Sequence, residues 1–122
     1  MATSGPVREK SYRFALDAIR LRRTLVAARE YDISRQMVRS ATSVGANIEE
    51  ALAAQSKRDF AARMTIASKE AREAQYWLRL IRDAELAPQA SVTPLLESGA
   101  ELVRLLTAIV MSTRQSLEGS DS

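Results

Sequence analysis

The stretch that decides the fold runs from Ser40 to Trp77 and reads SATSVGANIEEAL, then AAQSKRD, then FAARMTIASKEAREAQYW. Apolar residues recur every three or four positions in its first and third parts, which is the period of an amphipathic helix. The middle part is short, and Ser56 stands three residues before Asp59 in the manner of a capping box. The stretch therefore predicts two antiparallel helices joined by a tight turn that precedes Phe60.

The same period continues on both sides and predicts four helices in all. Their expected bounds are 7–29, 33–54, 60–85 and 92–117. Asp32, Ser56 and Ser91 precede the last three as predicted N-caps, because a Ser or Asp oxygen accepts a hydrogen bond from a free backbone N–H. Short connections between long helices favour antiparallel neighbours. The predicted fold is therefore all-α, an up-down-up-down antiparallel four-helix bundle.

The chain of 122 residues, of which 46% are apolar and 27% charged, has the size and balance of one globular domain. We expect the bundle over residues 7–118, after a disordered N-terminus over 1–6 and before a polar tail over 119–122. No apolar run approaches the ~20 residues of a membrane span, and no signal-peptide segment follows the start. The sequence thus predicts a cytoplasmic protein with no membrane partner.

The composition excludes most catalytic chemistry. The chain has no Cys and no His, so disulfides, thiol catalysis and the commonest general base and metal ligand are absent. A di-iron carboxylate bundle takes Glu-x-x-His from each of two helices, whereas the segment from Glu70 to Glu73 ends in Glu where His is required. No Ser has a plausible base, and the glycines are too scattered to cradle a phosphate. We expect no enzyme, no metal and no cofactor; a carboxylate metal enzyme is the weakest alternative.

Positive charge is concentrated in the first third of the chain. Residues 1–39 hold nine Lys and Arg against four Asp and Glu, a balance of +5. Such an excess is typical of a surface that neutralises phosphates, although a solvated helix surface gives the same count. The candidate nucleic-acid-binding residues are Arg13, Arg20, Arg22, Arg29, Arg35 and Arg39.

The first helix carries two apolar rows. The row that begins at Phe14 and includes Ala28 faces the predicted core. A second row lies well round the helix, and in a domain this small its natural partner is another subunit. The alternative is an unusually wide core face. The predicted oligomer interface consists of Tyr12, Leu16, Ile19 and Val26.

A row of small polar residues borders the apolar face of the second helix. It includes Ser43, Asn47 and Glu50, and Ser and Asn compete for backbone partners within a helix. We expect this row to admit a close neighbour, with Asn47 bonding across to it. Glu70 and Glu73 are expected to form ion pairs at the same helix–helix seam. The residues interpreted as structural are Ser43, Asn47, Glu50, Ser56, Asp59, Phe60, Glu70, Glu73 and Trp77.

Three motifs together resemble a known family. They are Ser43-Val-x-x-Asn47-Ile-x-Glu50, Ser56-Lys-Arg-Asp-Phe60, and Lys69-Glu-Ala-Arg-Glu73 followed by Tyr76-Trp77-Leu78. From about Tyr12 to Leu117 the chain is similar to the bacterial four-helix bundle proteins encoded in intervening sequences of 23S ribosomal RNA genes. The same superfamily includes the accessory variability proteins of diversity-generating retroelements. The resemblance implies a ring-shaped homopentamer and, for the accessory proteins, a basic ring that binds nucleic acid and a reverse transcriptase.

One departure from the family pattern affects the end of the second helix. The family commonly reads Asn-Ile-Ala-Glu-Gly, whereas this chain reads Asn47-Ile48-Glu49-Glu50-Ala51. Without the glycine, the helix is expected to continue through Ala51. The leading hypothesis is a self-assembling, non-enzymatic bundle that acts as a nucleic-acid-associated accessory factor. The alternative is an oligomeric scaffold that binds a protein partner and no nucleic acid.

Overall fold

A computed structural model describes residues 4–121, which form four long helices and no strand. Each helix packs against its neighbour in the chain, and the first also packs against the last. The predicted all-α four-helix bundle is confirmed. The elements are α1 (Ser4–Ala27), α2 (Tyr31–Leu52), α3 (Lys57–Asp83) and α4 (Gln89–Asp121).

The core follows the predicted helical period. On α1 the buried apolar side chains are Val7, Phe14, Ala18, Leu21 and Leu25, which recur every three, four or seven positions. Burying a large apolar side chain contributes about 1.5–3 kcal/mol, so these rows are the main source of stability. The largest fully buried side chains of the other helices are Met37, Val44, Ile48, Met64, Leu78, Ile81, Val92, Leu102 and Leu106.

The start of α1 differs from the prediction. The helix begins at Ser4, so the last three residues of the segment predicted to be disordered, 1–6, are helical. Pro6 fits the first turn because its missing N–H would have no helical partner there. Val7 is 1% exposed and anchors this turn to the core. Residues 1–3 lie outside the described part of the chain.

The α1–α2 turn lies two residues earlier than predicted. Arg29 adopts a left-handed conformation with φ 64°, and the Glu30 N–H donates to the Leu25 carbonyl at 2.8 Å, as in a Schellman motif. The helix therefore ends at Ala27, and Ala28 is exposed rather than part of the core row. Glu30, not Asp32, occupies the N-cap of α2 and makes no side-chain cap bond.

At the α2–α3 turn, α2 continues through Ala51 as predicted and ends at Leu52, two residues before the expected Ala54. Ala51 is buried, whereas Leu52 is 38% exposed. The Ser56 hydroxyl accepts the Asp59 N–H at 3.1 Å and caps α3.

Helix α4 is longer than predicted at both ends. It begins at Gln89 instead of Val92, directly after Pro88, whose carbonyl accepts the Ser91 N–H at 2.9 Å. It reaches Asp121, so the segment predicted as a polar tail is helical as far as it is described, and Ser122 lies outside the described residues. Since neighbours are antiparallel, one end of the bundle carries the α1–α2 and α3–α4 turns, and the other carries the α2–α3 turn.

Candidate functional site

An arginine cluster surrounds the α1–α2 turn. Residues 20–35 hold five arginines against the two carboxylates Glu30 and Asp32, a balance of +3. All five arginines are exposed. The turn brings the last part of α1 next to the first part of α2, so the arginines of both helices lie around one end of the bundle. We define the arginine cluster as Arg20, Arg22, Arg23, Arg29 and Arg35.

Two members of the cluster have a carboxylate partner nearby in their own helix. Arg20 lies 3.1 Å from Asp17, and Arg35 lies 3.8 Å from the fully exposed Asp32. Such exposed pairs are weak and are screened by salt. They leave the guanidinium groups open to a stronger anionic ligand.

The other three members have no ion-pair partner among residues 4–121. Neither Arg22, Arg23 nor Arg29 lies within 4.0 Å of a carboxylate oxygen there. Their charge is therefore not neutralised at ion-pair distance by any carboxylate of the described residues. An arginine of this kind presents a planar fork of N–H donors that matches a phosphate.

Two of the predicted arginines lie elsewhere. Arg13 is on α1, one turn or more before the cluster, and pairs with Glu9 at 3.3 Å. Arg39 lies between α2 and α3, where it pairs with Glu70 at 3.2 Å and also with Glu73. These contacts tie α2 to α3 and compensate the Arg39 charge, so we do not include Arg39 in the cluster.

The second apolar row of α1 does not enter the core. Tyr12 is 65% exposed, Ile19 41% and Val26 38%, whereas Leu16 is half-buried. The alternative, that this row belongs to an unusually wide core face of α1, is therefore excluded for Tyr12, Ile19 and Val26. We call this surface, made of Tyr12, Leu16, Ile19 and Val26, the α1 row.

A second mixed surface lies along the outer side of α2 and α3. Ile66 is 40% exposed and Leu80 is 37% exposed, with the half-buried Trp77 between them in sequence. Glu70 and Glu73 lie on the same side, as their ion pairs with Arg39 of α2 show. We call this surface, made of Arg39, Ile66, Glu70, Glu73, Trp77 and Leu80, the α2–α3 seam.

The small polar residues of α2 bond within their own helix. The Asn47 side chain donates to the Ser43 carbonyl at 2.9 Å, so the expected bond across to the neighbouring helix is absent. The Ser40 hydroxyl donates to the Gln36 carbonyl at 3.0 Å. Side chains this short reach a carbonyl one turn back more easily than a group on another helix. Their small size, rather than their polarity, is what admits α3.

The described residues offer little for catalysis. Among them, no three acidic side chains come together to hold a metal ion. A cavity of about 760 Å3 lies between the α2–α3 turn and α4. Its lining includes Leu52, Phe60 and Ile109, and its polar groups are hydroxyls, backbone, Gln55 and Lys57, with no carboxylate.

Across residues 4–121, none of the helices combines the length and the apolar character that crossing a membrane requires.

Comparisons of the sequence and of the fold with known proteins show which family the chain belongs to. The model of the 23S rRNA-intervening sequence protein family matches residues 5–108. The chain belongs to this family. Its fold is also similar to the crystal structure of a protein of unknown function from the S23 ribosomal protein family of Bacteroides thetaiotaomicron, which is 36% identical. That match covers 89% of this chain and 98% of the other, with a TM-score of 0.84. No curated protein matches the chain.

In this 23S rRNA-intervening sequence protein, the family match contains the arginine cluster, the α1 row and the α2–α3 seam. The last part of α4, residues 109–121, lies beyond it. The pentameric assembly, the binding of nucleic acid and the resemblance to retroelement accessory proteins stay predictions.

Two exposed residues at or beside the arginine cluster, Arg23 and Tyr31, were not predicted from the sequence. Arg23 follows Ile19 by four positions and therefore lies on the outward side of α1, which a helical projection of the α1 row would have shown. Tyr31 is 52% exposed at the first position of α2. Its exposure depends on where the α1–α2 turn ends, and no local sequence signal gives that position.

Proposed function

We propose that this chain is a cytoplasmic, non-enzymatic bundle protein that self-assembles and binds the phosphate backbone of a nucleic acid through the arginine cluster. The observation that carries the proposal is that Arg22, Arg23 and Arg29 are exposed and have no ion-pair partner among residues 4–121. Three uncompensated charges within eight residues form a local positive field that attracts a polyanion.

Binding of this kind is directed at phosphates and carries little sequence information. Within residues 20–35 the single aromatic residue is Tyr31, so a stacking platform for successive bases is not present there. We therefore expect a similar affinity for different sequences of the same length. Each neutralised phosphate releases counterions, which makes the affinity fall steeply with salt.

Self-assembly is supported by the exposed α1 row. Three of its four members leave large apolar side chains in solvent, and such a row on a small domain indicates a contact with another subunit. A ring would place several arginine clusters side by side, and simultaneous engagement of linked sites raises affinity well above that of one site. The proposed subunit number of five comes from the family resemblance.

The first experiment is a titration of the purified protein against labelled duplex DNA and structured RNA at several salt concentrations. We expect binding in the micromolar range or tighter, with log K falling linearly with log salt. The slope estimates the number of phosphates covered. Absence of binding at low salt would overturn the nucleic-acid part of the proposal.

A pair of matched variants tests the cluster itself. Arg22→Glu with Arg29→Glu should abolish nucleic-acid retention and leave assembly intact. Lys69→Glu with Arg104→Glu makes the same change in net charge at exposed positions on α3 and α4, and we expect it to weaken binding far less. Equal losses for the two double variants would show that only net charge matters and that the cluster is not the site.

A second candidate function is a scaffold for a protein partner. It is favoured by the exposed apolar side chains of the α2–α3 seam, Ile66 and Leu80, which no other helix of the chain covers. A wild-type protein that assembles but binds neither DNA nor RNA would support this function instead.

A further inference from the structure

The cavity between the α2–α3 turn and α4 lies beyond the start of α1. Lys10 of α1 pairs with Glu101 of α4 at 2.7 Å, and α1 starts at Ser4, six residues before Lys10. Because α1 and α4 are antiparallel, the start of α1 is level with about residue 107 of α4, and α4 continues about 20 Å beyond that level. On α4 the lining of the cavity begins at Ala108. The cavity therefore occupies the place that α1 fills along the rest of the bundle.

The walls of the cavity are mainly apolar. Their largest side chains are those of Leu52, Phe60 and Ile109, and the buried Ala51 lies beside them. The volume of about 760 Å3 is within the range of roughly 300–1,000 Å3 that small-molecule sites have. Such sites are lined mostly by apolar side chains and hold a few polar groups that orient the ligand.

One cation stands at the edge of the cavity. The Lys57 ammonium donates a hydrogen bond to the Ser116 hydroxyl at 3.2 Å, and no carboxylate of residues 4–121 pairs with it. No Asp or Glu lines the cavity. Ser112 lies one turn before Ser116, so both hydroxyls belong to the same wall. Hydrogen-bond donors around an ammonium that has no carboxylate partner favour an anionic group.

We propose that this cavity binds a small amphipathic anion, a carboxylate with an unbranched alkyl chain of medium length. The alkyl chain lies against Leu52, Phe60 and Ile109, and the carboxylate accepts hydrogen bonds from Lys57 and Ser116. The inference goes beyond the proposed function and does not rest on it, because no member of the arginine cluster or of the α1 row lines the cavity.

The extent of the cavity favours a small ligand over a protein partner. Twelve residues line it, whereas a standard protein–protein interface takes about 20–30 residues a side. Lys57 is the one charged residue of this lining. A single charge at the edge of an apolar cavity matches a ligand with one charged group at the end of an apolar chain.

Titration calorimetry with three matched probes, decanoate, decanol and acetate, tests the proposal. Decanoate should bind about tenfold more tightly than decanol, which has the chain without the charge. Acetate has the charge without the chain and should not bind measurably. Added salt should weaken the binding of decanoate and leave that of decanol nearly unchanged. Equal affinities for decanoate and decanol would overturn the inference.

Two variants with the same change in charge test the role of Lys57. Lys57→Gln should remove the difference between decanoate and decanol, because the ammonium that pairs with the carboxylate is lost. Lys69→Gln, at an exposed position of the same helix outside the lining, should keep the difference. Equal effects of the two variants would show that only net charge attracts the carboxylate, and would contradict the proposal.

The place of binding is tested with NMR spectra of the wild-type protein. The methyl signals of Leu52 and Ile109 should shift when decanoate is added. The signal of Ile19, an exposed apolar residue on α1, should not shift. Unchanged signals of Leu52 and Ile109 would sink the inference, and this measurement needs no variant to fold.

A variant that fills the cavity distinguishes a small ligand from other occupants. Ser112→Trp introduces a large side chain from an exposed position of α4 and should abolish the binding of both decanoate and decanol. Circular dichroism checks its fold, and light scattering should show the same oligomeric state as the wild type. A changed oligomeric state would make a second copy the occupant and would overturn the inference. Failure of the wild type to bind any probe would overturn it as well.

Discussion

Two glycines inside helices of this bundle have different surroundings. A methyl group at Gly45 of α2 would lie 3.5 Å from the Ser11 hydroxyl, which is ordinary contact. A methyl group at Gly99 of α4 would overlap the Gln75 amide oxygen and lie 3.2 Å from the Phe14 ring. The Gln75 amide also donates to the Leu96 carbonyl at 3.0 Å. Gly99 therefore provides the space in which α3 and α4 are joined by this bond, whereas nothing in the structure requires Gly45.

Gly45→Ala and Gly99→Ala should change stability in opposite directions. Gly45→Ala should raise the free energy of unfolding by about 1 kcal/mol, because Ala loses less backbone entropy in a helix. Gly99→Ala should lower it by about 1–2 kcal/mol, since the Gln75 amide is displaced in a packed site. Urea denaturation of both variants measures the difference. Adding Gln75→Ala to Gly99→Ala should recover part of the loss, and equal stabilisation by both glycine changes would contradict the role of Gly99.

The residue types at buried positions were largely predictable, but individual polar contacts were not. Helical period alone places Phe14, Met64 and Leu78 in the core, because one face of each helix must be buried. The same period cannot tell that Asn47 bonds to its own helix, since that choice depends on side-chain reach in three dimensions. It also does not reveal that Arg39 faces Glu70 and Glu73, because two helices must first be placed side by side.

At the level of helices, an ion pair joins the first element to the last. The Lys10 ammonium lies 2.7 Å from the Glu101 carboxylate, linking α1 to α4. Its hydrogen bond and its charge lower the pKa of Glu101 below the ordinary value. A carboxyl group with a lowered pKa in the folded state stabilises the protein above the unfolded-state pKa and loses that contribution as the pH falls through the folded-state value.

Glu101→Gln should therefore reduce the loss of stability on acidification below about pH 4.5, the ordinary value for this carboxyl group. The effect should be small, because the pair is exposed and screened by salt. Thermal melts of wild type and variant across this pH range measure it. Glu97→Gln makes the same change in charge one turn earlier on the exposed side of α4 and serves as the control. An identical acid dependence for Glu101→Gln and wild type would show that the pair contributes nothing.

The existence and order of the four helices could be predicted, but the observed ends of the helices differ from the predicted ends by two to four residues. The sequence gives no glycine at the ends of α1 and α3, yet Arg29 and Glu85 both adopt left-handed conformations, with φ 64° and 57°. A side chain there costs about 1–2 kcal/mol per residue relative to a right-handed conformation. Local propensity therefore argues against these turns, and only the packing of the flanking helices imposes them.

For the whole molecule, assembly should appear as a concentration-dependent stability. Because association stabilises only the folded state, the melting temperature of the wild type should rise by several degrees over a hundredfold increase in protein concentration. The variant Tyr12→Glu with Ile19→Glu, which changes two exposed members of the α1 row, should melt at a temperature independent of concentration. A wild-type melting temperature that does not change with concentration would indicate a monomer under those conditions.

The charge asymmetry and the second apolar row of α1 were visible in the sequence, because both depend on counting and on helical period alone. The α2–α3 seam was visible only in part. Its acidic residues Glu70 and Glu73 and its Trp77 are interpreted from the sequence as structural. The exposure of Ile66 and Leu80 is visible only when α2 and α3 are placed in the bundle.

The antiparallel arrangement has a practical consequence for studying this protein. The arginine cluster surrounds the α1–α2 turn at one end of the bundle. Helix α1 starts and α4 finishes at the opposite end, where Lys57 at the start of α3 contacts Ser116 at 3.2 Å. A helix of this length separates the two ends by more than 30 Å. A fluorescent domain or surface tether attached before Ser4 or after Asp121 thus projects away from the cluster, and immobilised protein keeps it free for an incoming ligand.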